Sequence, residues 1–353
     1  PALVAAGEKR AVKAGGAAEL NWGDGAAAVL VAGTGFARLR GHASIARDFV
    51  DVYASRAHPT PYPAEERFVR DTGIADVLAP AIAAALKDAG VAAAAITHAV
   101  VPEPVPATYK PLAGKLGLKA PNVLDAVQAG AGDLGAAHPL FGLALACEGA
   151  RAGDLILLVG FGSGADALVL EITRDPPPIR ARAALAEGRA SKDYVRFLSL
   201  SGNLDLDWGA RSELDQKITA PVLERYGRDM LGFVGGRDST GNVQFPKTLR
   251  PVSPDADPAV PLADVRLADE PARIHSLTAD RLNFTPDPPF AFGLVQFANG
   301  ARVLMEICDA PADALAVGSP VAMRFRVKSI DRRRGFRTYF WKACPAARPA
   351  MEG

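Results

Sequence analysis

Residues Gly153–Thr173 read GDLILLVGFGSGADALVLEIT: two apolar runs, Leu155–Val159 and Ala165–Ile172, joined by Gly160-Phe161-Gly162-Ser163-Gly164. Short continuous apolar runs bounded by turn residues are the pattern of buried strands, and the glycine-rich link folds the second back on the first. Buried strands need cover, and the chain upstream supplies it. Leu78, Ile82, Ala85 and Leu86 fall at helical spacing between Ile74 and Lys87, with Gly90 where that helix would stop. Thr97–Val101 is an expected strand, followed by Pro102, Pro104 and Pro106, and a further helix ends near Gly117. A second long helix is expected over Asp133–Arg151, with Asp133 as N-cap and Pro139 deep enough to kink it. Ala26–Ala32, behind the turn Asn21–Gly25, is another strand. This order of strand, helix, helix and hairpin defines a layered α/β domain.

The character changes after residue 174. Asp175-Pro176-Pro177-Pro178 opens a linker, and a charged helix is expected over Ala210–Met230 before Gly235-Gly236. From Glu270 onward the signal is β. Phe290–Phe297 and Ala301–Cys308 flank Asn299-Gly300, a hairpin turn; Val321–Ser329 and Gly335–Lys342 form a second pair; Ala272–Thr278 makes a fifth strand. Five such strands suit a small closed barrel of the OB type.

Composition excludes several functions. No apolar stretch is long enough and free enough of charge to span a membrane. A net charge of +1 gives no general field for nucleic acid or an anionic surface. Arg332, Arg333, Arg334, Arg337 and Lys342 do interleave with Phe336, Tyr339, Phe340 and Trp341, as a single-strand groove would require, but the near-neutral charge favours a barrel with core aromatics and a basic rim over nucleic-acid binding. Cys147, Cys308 and Cys344 are odd in number and far apart, which points to free thiols and a cytoplasmic setting. His42, His58, His98, His138 and His275 show no metal-ligand spacing and read as structural or surface residues. The opening Pro1–Ala6 lacks the marks of a secretory signal and reads as a buried strand, so further chain is expected upstream.

Several strings carry a resemblance. ELNWGDGAAAVLVAG (Glu19–Gly33), DFVDVY (Asp48–Tyr53), ERFVRDTG (Glu66–Gly73), AGDLGAAH (Ala131–His138) and Gly153–Thr173 resemble the thiolase superfamily, in its hydroxymethylglutaryl-CoA synthase-like branch. GFVGGR (Gly232–Arg237), VQFPK (Val243–Lys247), FTPDPPFAFGLVQF (Phe284–Phe297) and RRRGFRTYFWKACP (Arg332–Pro345) resemble the zinc-ribbon and OB-fold family that accompanies such enzymes. The resemblance divides the chain into the end of a first thiolase-like repeat at 1–57, a second repeat at 58–174, linker and polar helices at 175–230, a degenerate zinc-ribbon segment at 231–262 and an OB barrel at 263–346.

The resemblance implies a subunit that works on acyl-CoA thioesters, by acyl transfer to a cysteine and Claisen- or aldol-type carbon–carbon bond formation. In that family the nucleophilic cysteine belongs to the first repeat, upstream of this chain's start, and Cys147, Cys308 and Cys344 do not match it. The second repeat normally supplies a histidine after its strand and an asparagine before its long helix. Glu103, in Val101-Pro102-Glu103-Pro104, and Asp133 stand there instead, as substituted acid/base groups or as plain turn and cap residues. By the same resemblance Gly160, Gly162, Ser163 and Gly164 correspond to the turn that borders the thioester, and a plain tight turn between buried strands is the other reading of them. The ribbon positions hold Asp238-Ser239-Thr240-Gly241-Asn242 and Pro251–Ala256 in place of cysteines, so no zinc and no covalently bound cofactor are expected. A homodimer through the thiolase-like part and a thiolase partner are implied. The alternative is a non-catalytic OB-fold scaffold that binds a partner thiolase and channels CoA thioesters.

Overall fold

The computed structural model describes residues 1–187, 190–205, 220–282, 285, 288–331 and 335–346. They fall into two units, Pro1–Gly188 with Ser201–Asn203, and Arg189–Leu200 with Leu204–Gly353. No helix among the described residues is long and apolar enough to cross a membrane.

In the first unit β1 (Ala2–Glu8) pairs antiparallel with β2 (Gly25–Val31). Leu3 and Leu30 stand opposite each other and are 70% and 68% exposed, so the opening strand is not buried in this chain. The main sheet takes the order β3 (Ala37–Ala46), β8 (Gly164–Ile172), β7 (Leu155–Gly162), β6 (His98–Val100). Only β6 and β7 run parallel. A minor ladder joins β4 (Val52–Tyr53) to β5 (Tyr62–Pro63).

Alternate residues of the sheet go to opposite cores, as the two-residue period of a strand dictates. Leu157, Val159, Ala165, Ala167 and Val169 pack with Val77, Ile82, Ala85 and Leu86. Ile156, Leu158 and Ile172 pack with Leu124, Val127, Leu143 and Ala146. Both faces are thus covered, which is why β7 is apolar throughout and β8 carries only Asp166 and Glu171 as charged residues.

The first helical layer is α1 (Glu66–Phe68), a π-helical stretch over Val69–Leu78, and α2 (Ala79–Ala89). It begins earlier than the spacing from Ile74 suggests and ends, as expected, at Gly90 with φ +65°. α3 (Tyr109–Leu116) likewise ends at Gly117 with φ +77°.

The long helix expected from Asp133 is a different structure. α4 (Leu124–Ala131) stops at Gly132, Asp133 lies in the link, a 3-10 turn covers Gly135–Ala137, and α5 spans His138–Gly149. Pro139 therefore sits in the first turn of α5, where its missing N–H would have had no helical partner, and it starts the helix instead of kinking it. α6 (Ala181–Ala186) packs on α5, with the Arg182 N–H donating to Glu148 Oε2 at 2.8 Å. Beyond it α7 covers Tyr194–Ser201. Of the helix expected over Ala210–Met230, residues 210–219 lie outside the described residues, and α8 runs Ala220–Gly232.

The second unit has a three-stranded sheet, β10 (Val243–Gln244), β9 (Val234–Arg237), β11 (Ala263–Arg266). The turn after β9 is tied by Asp238, whose Oδ1 accepts from Thr240 Oγ1 at 2.7 Å and from the N–H groups of Thr240 at 2.9 Å and Asn242 at 3.0 Å. The bond from Thr240, with those from the two backbone groups, holds the Asp238 carboxyl below its ordinary 3.8. A depressed carboxyl stabilises the folded state above its unfolded pKa and loses that contribution as pH falls through the folded one. Asp238→Asn should therefore melt below the wild type at pH 7, and calorimetry should show the gap closing as pH drops below 3.8.

One sheet of six strands forms here, one more than expected, because one expected strand is broken in two. The expected first strand is split into β12 (Ala272–Ile274) and β13 (Thr278–Asp280), paired with opposite ends of β14 (Phe290–Phe297). The break is a bulge, since the N–H groups of His275 and Ser276 both donate to the Leu294 carbonyl, at 2.7 and 3.1 Å. It brings the Ser276 carbonyl within 1.9 Å of where a Cβ on Gly293 would stand, a proximity only glycine permits. β15 (Arg302–Glu306) pairs with β14; β16 (Pro320–Asp331) pairs with β12 and with β17 (Phe336–Pro345). Past the end of β15, Ile307 makes one parallel bridge to Ala343 of β17.

At the centre of this unit is Phe233, fully buried, with ring centroids of Phe245, Phe297, Phe340 and Trp341 at 4.9, 5.8, 6.0 and 6.0 Å.

Candidate active site

Because β6 and β7 are parallel, their carboxyl ends share one edge of the sheet, and the helix that leads back into β7 begins at that edge. The chain leaves β7 there through the glycine tip. Gly164 has φ +136°, and a Cβ on it would lie 2.0 Å from the Ile45 carbonyl of β3. Glycine there is required by the backbone. Gly160 and Gly162 differ: neither has a positive φ, and a Cβ on either would meet nothing within 4 Å. Neither conformation nor packing asks for glycine at those two positions. Beside the tip, the Phe161 ring lies 5.7 Å from Phe49, and the Arg47 N–H donates to the Ser163 carbonyl at 3.3 Å.

The same segment, two residues past Phe49, brings Asp51 into the field of a charged cluster around Asp133. Arg10 stacks over Trp22 at 4.1 Å and places Nη2 3.3 Å from Asp133 Oδ1. Glu8 lies 3.8 Å from Arg10 Nε and accepts from the Ala136 N–H at 2.6 Å. Asp133 Oδ1 also accepts from the Gly135 N–H at 2.8 Å and lies 4.0 Å from His138 Nδ1.

His138 is buried, and its Nδ1 accepts from the Leu134 N–H at 3.2 Å. An accepting Nδ1 carries no proton, so the neutral ring is protonated at Nε2. Burial lowers the His138 pKa, against the pull of Asp133 and with the push of Arg10, which keeps the ring neutral near pH 7. Burial raises the Asp51 carboxyl; backbone hydrogen bonds at Asp51 and Val52 pull it back, and the Asp133 charge adds to the rise. The neutral ring thus offers Nε2–H as a donor, while the Asp51 carboxyl is raised from its ordinary 3.8.

The sequence singled out Asp133 and left His138 among structural residues; the 3-10 turn of Gly135–Ala137 brings the two together. Arg10 and Asp51 carry no local signal, since strand pairing and the Phe49 contact place them.

Glu103 lies elsewhere. Its carboxylate accepts from the Tyr109 N–H at the start of α3, and it lines a shallow depression with Ala107, Tyr109, Lys110, Pro111 and Asp125. No hydrogen bond or ion pair among the described residues joins it to Asp133. Tyr109 donates to the Ala120 carbonyl at 2.6 Å, and burial, with the charges of Asp125 and Glu103, pushes its phenol up to about 12. Buried Asn122, which the sequence reading passed over, clamps the end of β6: Nδ2 donates to the Val101 carbonyl at 2.8 Å, and Oδ1 accepts from Val101 and Leu124.

Cys147 is buried inside α5, where burial pushes its thiol up to about 11. Cys308 and Cys344 are not far apart in space: their Sγ atoms are 3.4 Å from each other. The ribbon segment 231–262 contains neither cysteine nor histidine, and Asp238 Oδ1 already accepts three hydrogen bonds, so these residues do not fit a zinc ion. Of the basic residues interleaved with aromatics, Arg332, Arg333 and Arg334 lie outside the described residues.

Residues 265–326 match the family model of the ChsH2 C-terminal OB-fold domain. None of the curated proteins matches the chain. Among solved structures, the chain is similar to a Ltp2-ChsH2(DUF35) aldolase, at 16% identity and TM-score 0.28 over 37% of this chain and 97% of that one. It is similar to an HMG-CoA synthase complexed with CoA at 20% identity and TM-score 0.38, over 52% of this chain and 53% of that one. With 3-oxoacyl-[acyl-carrier-protein] synthase III from Aquifex aeolicus VF5 the values are 17% and 0.32, over 41% and 48%. The chain thus spans about half the length of either synthase.

Proposed function

We propose that this chain is a condensing-enzyme subunit of the thiolase superfamily that handles acyl-CoA thioesters, in acyl transfer and Claisen- or aldol-type carbon–carbon bond formation. The observation that carries the reading is the bare face at Gly160 and Gly162, kept free of side chains where neither backbone nor packing demands it. It lies beside Phe161 and the Arg47–Asp51 segment that leads to Asp133 and His138, and the quoted motifs support it.

In this reading the thioester lies against Gly160 and Gly162, with Ser163 and Gly164 shaping the tip. His138 Nε2–H donates to the thioester carbonyl, a role that Asp133 cannot take while ionised. Asp133, paired with Arg10, orients this edge, and Asp51 exchanges the proton. Glu103 caps α3. Cys147 is not the nucleophile. The chain works as a cytoplasmic homodimer through its thiolase-like part, with the five segments from 1–57 to 263–346 as its working divisions. No cofactor is held covalently.

Calorimetric titration with acetyl-CoA and octanoyl-CoA tests the site. Gly162→Val should weaken binding at least about tenfold with an unchanged melting temperature, since the added methyls fill the space the acyl arm would use. Equal binding by wild type and variant would overturn the reading.

A second reading, a non-catalytic OB-fold scaffold that binds a partner thiolase and channels CoA thioesters, is favoured by the inert setting of Cys147. Retained acyl-CoA binding and stable co-migration with a thiolase, without turnover by either alone, would select it.

A further inference from the structure

Cys308, Asp309 and Cys344 form the one group of metal-ligating side chains among the described residues, with their donor atoms all within 4.8 Å of one another. They are assembled by the seam of the second unit. The Ile307–Ala343 bridge is parallel, and the Cys308 N–H donates to the Ala343 carbonyl at 2.9 Å, so Cys308 and Cys344, next along the two strands, lie side by side. Asp309 follows with φ +64°, a left-handed conformation that aspartate tolerates better than most residues and that turns the chain back beside the thiols.

The sulfur separation suits a shared ion. A disulfide needs about 2.05 Å. Two thiolates on one tetrahedral zinc, at about 2.3 Å each, stand about 3.8 Å apart. At 3.4 Å the two thiols are free and share an S–H···S hydrogen bond, and their sulfurs stand within about 0.4 Å of the separation that a shared zinc would need. Arg326 approaches mainly one carboxylate oxygen of Asp309, with Nη2 at 2.6 Å and Nε at 3.1 Å from Oδ2 and only 3.5 Å from Oδ1. The same carboxylate accepts hydrogen bonds from the Cys344 and Cys308 thiols, so the three donors already face one another.

We propose that Cys308, Cys344 and Asp309 bind a divalent thiophilic cation, zinc or its cadmium surrogate, in a three-ligand site open at its fourth position. On binding, two thiol protons pass to solvent, two metal–sulfur bonds and one metal–oxygen bond form, and no group is oxidised or reduced. Two thiolates, one carboxylate, a divalent ion and the Arg326 guanidinium sum to zero charge, so the occupied site carries no uncompensated charge at the half-buried seam. Cys344 is buried, Cys308 half-buried and Asp309 exposed, which gives the ion an entry path and leaves the fourth position to water or a small anion. The site lies apart from the ribbon segment, where the donors for an ion are missing.

Titration of the reduced chain with Cd(II), followed by native mass spectrometry and by the ultraviolet sulfur-to-cadmium charge-transfer absorbance, tests the site. One Cd(II) per chain with the charge-transfer band is expected. Cys308→Ala and Cys344→Ala should each weaken binding at least about a hundredfold and Asp309→Asn about tenfold, while Cys147→Ala changes nothing. Asp309 is exposed, so Asp309→Asn reports even where the buried Cys344→Ala fails to fold. Absence of the band in the wild type would overturn the proposal, as would its persistence in Cys308→Ala. So would ready conversion of the pair to a disulfide by oxidised glutathione, seen as the loss of two hydrogens in the intact mass, in a chain that takes up no Cd(II).

Discussion

Phe233→Ala is expected to destabilise the C-terminal unit by about 3–5 kcal/mol, the range for truncating a fully buried aromatic. The ring has no exposed surface and touches four other aromatic rings contributed by the turn after β10, by β14 and by β17. Its removal leaves a cavity bordered by rigid rings that cannot collapse into it, so the cost should fall at the upper end of that range. Phe233 also has φ +49°, which alanine does not relieve and glycine would. Phe233→Gly should therefore be no worse than Phe233→Ala despite the smaller side chain. Urea denaturation followed by the fluorescence of Trp341, which stacks on Phe233, measures both. A loss below about 1 kcal/mol would mean that the aromatic cluster is not the core of this unit.

Gly164→Ala should be among the most damaging single-methyl changes in the first unit, and Gly160→Ala close to silent. At Gly164 an added Cβ would collide with the Ile45 carbonyl at 2.0 Å, in a backbone conformation that L residues rarely adopt. Either β3 separates from β8 or the hairpin tip unwinds, and both expose the sheet that carries the two cores. A loss of at least about 3 kcal/mol, or failure to fold, is expected. At Gly160 the same methyl enters open space with an ordinary φ, and the stiffer unfolded chain should leave stability unchanged or raise it by about 0.4–1 kcal/mol. Differential scanning calorimetry of the two variants compares them directly. A destabilised Gly160→Ala would remove the argument that this glycine is kept for a ligand.

Features set by neighbouring residues were legible in the sequence. The stops at Gly90 and Gly117, the β7–β8 hairpin and the β14–β15 hairpin all depend on local conformational preference and short-range periodicity. Misreadings arose where a distant partner overrode the local pattern. The helix expected over Asp133–Arg151 starts only at His138, because Asp133 docks through backbone hydrogen bonds between Asn21 and Gly23, just past the stop of α4 at Gly132. The Ala272–Thr278 strand is broken because Gly293, on another strand, lets the Ser276 carbonyl approach. For the site, the glycine tip and Asp133 could be picked out, whereas Arg10, Asp51 and the role of His138 depend on contacts across the fold. The Cys308–Cys344 pair was hidden for the same reason, since strand register and not spacing sets their distance.

The bridge between Ile307 and Ala343 has a consequence for the order of assembly. The β14–β15 and β16–β17 hairpins are each made of short-range pairings that can form independently and early. Joining them needs two long loops to close, one where Ala272 meets Val321 and one at the bridge itself. Sequence separation, not stability, then governs how fast this unit folds. Shortening the loop between β15 and β16 should quicken its refolding in stopped-flow experiments while leaving its unfolding rate nearly unchanged.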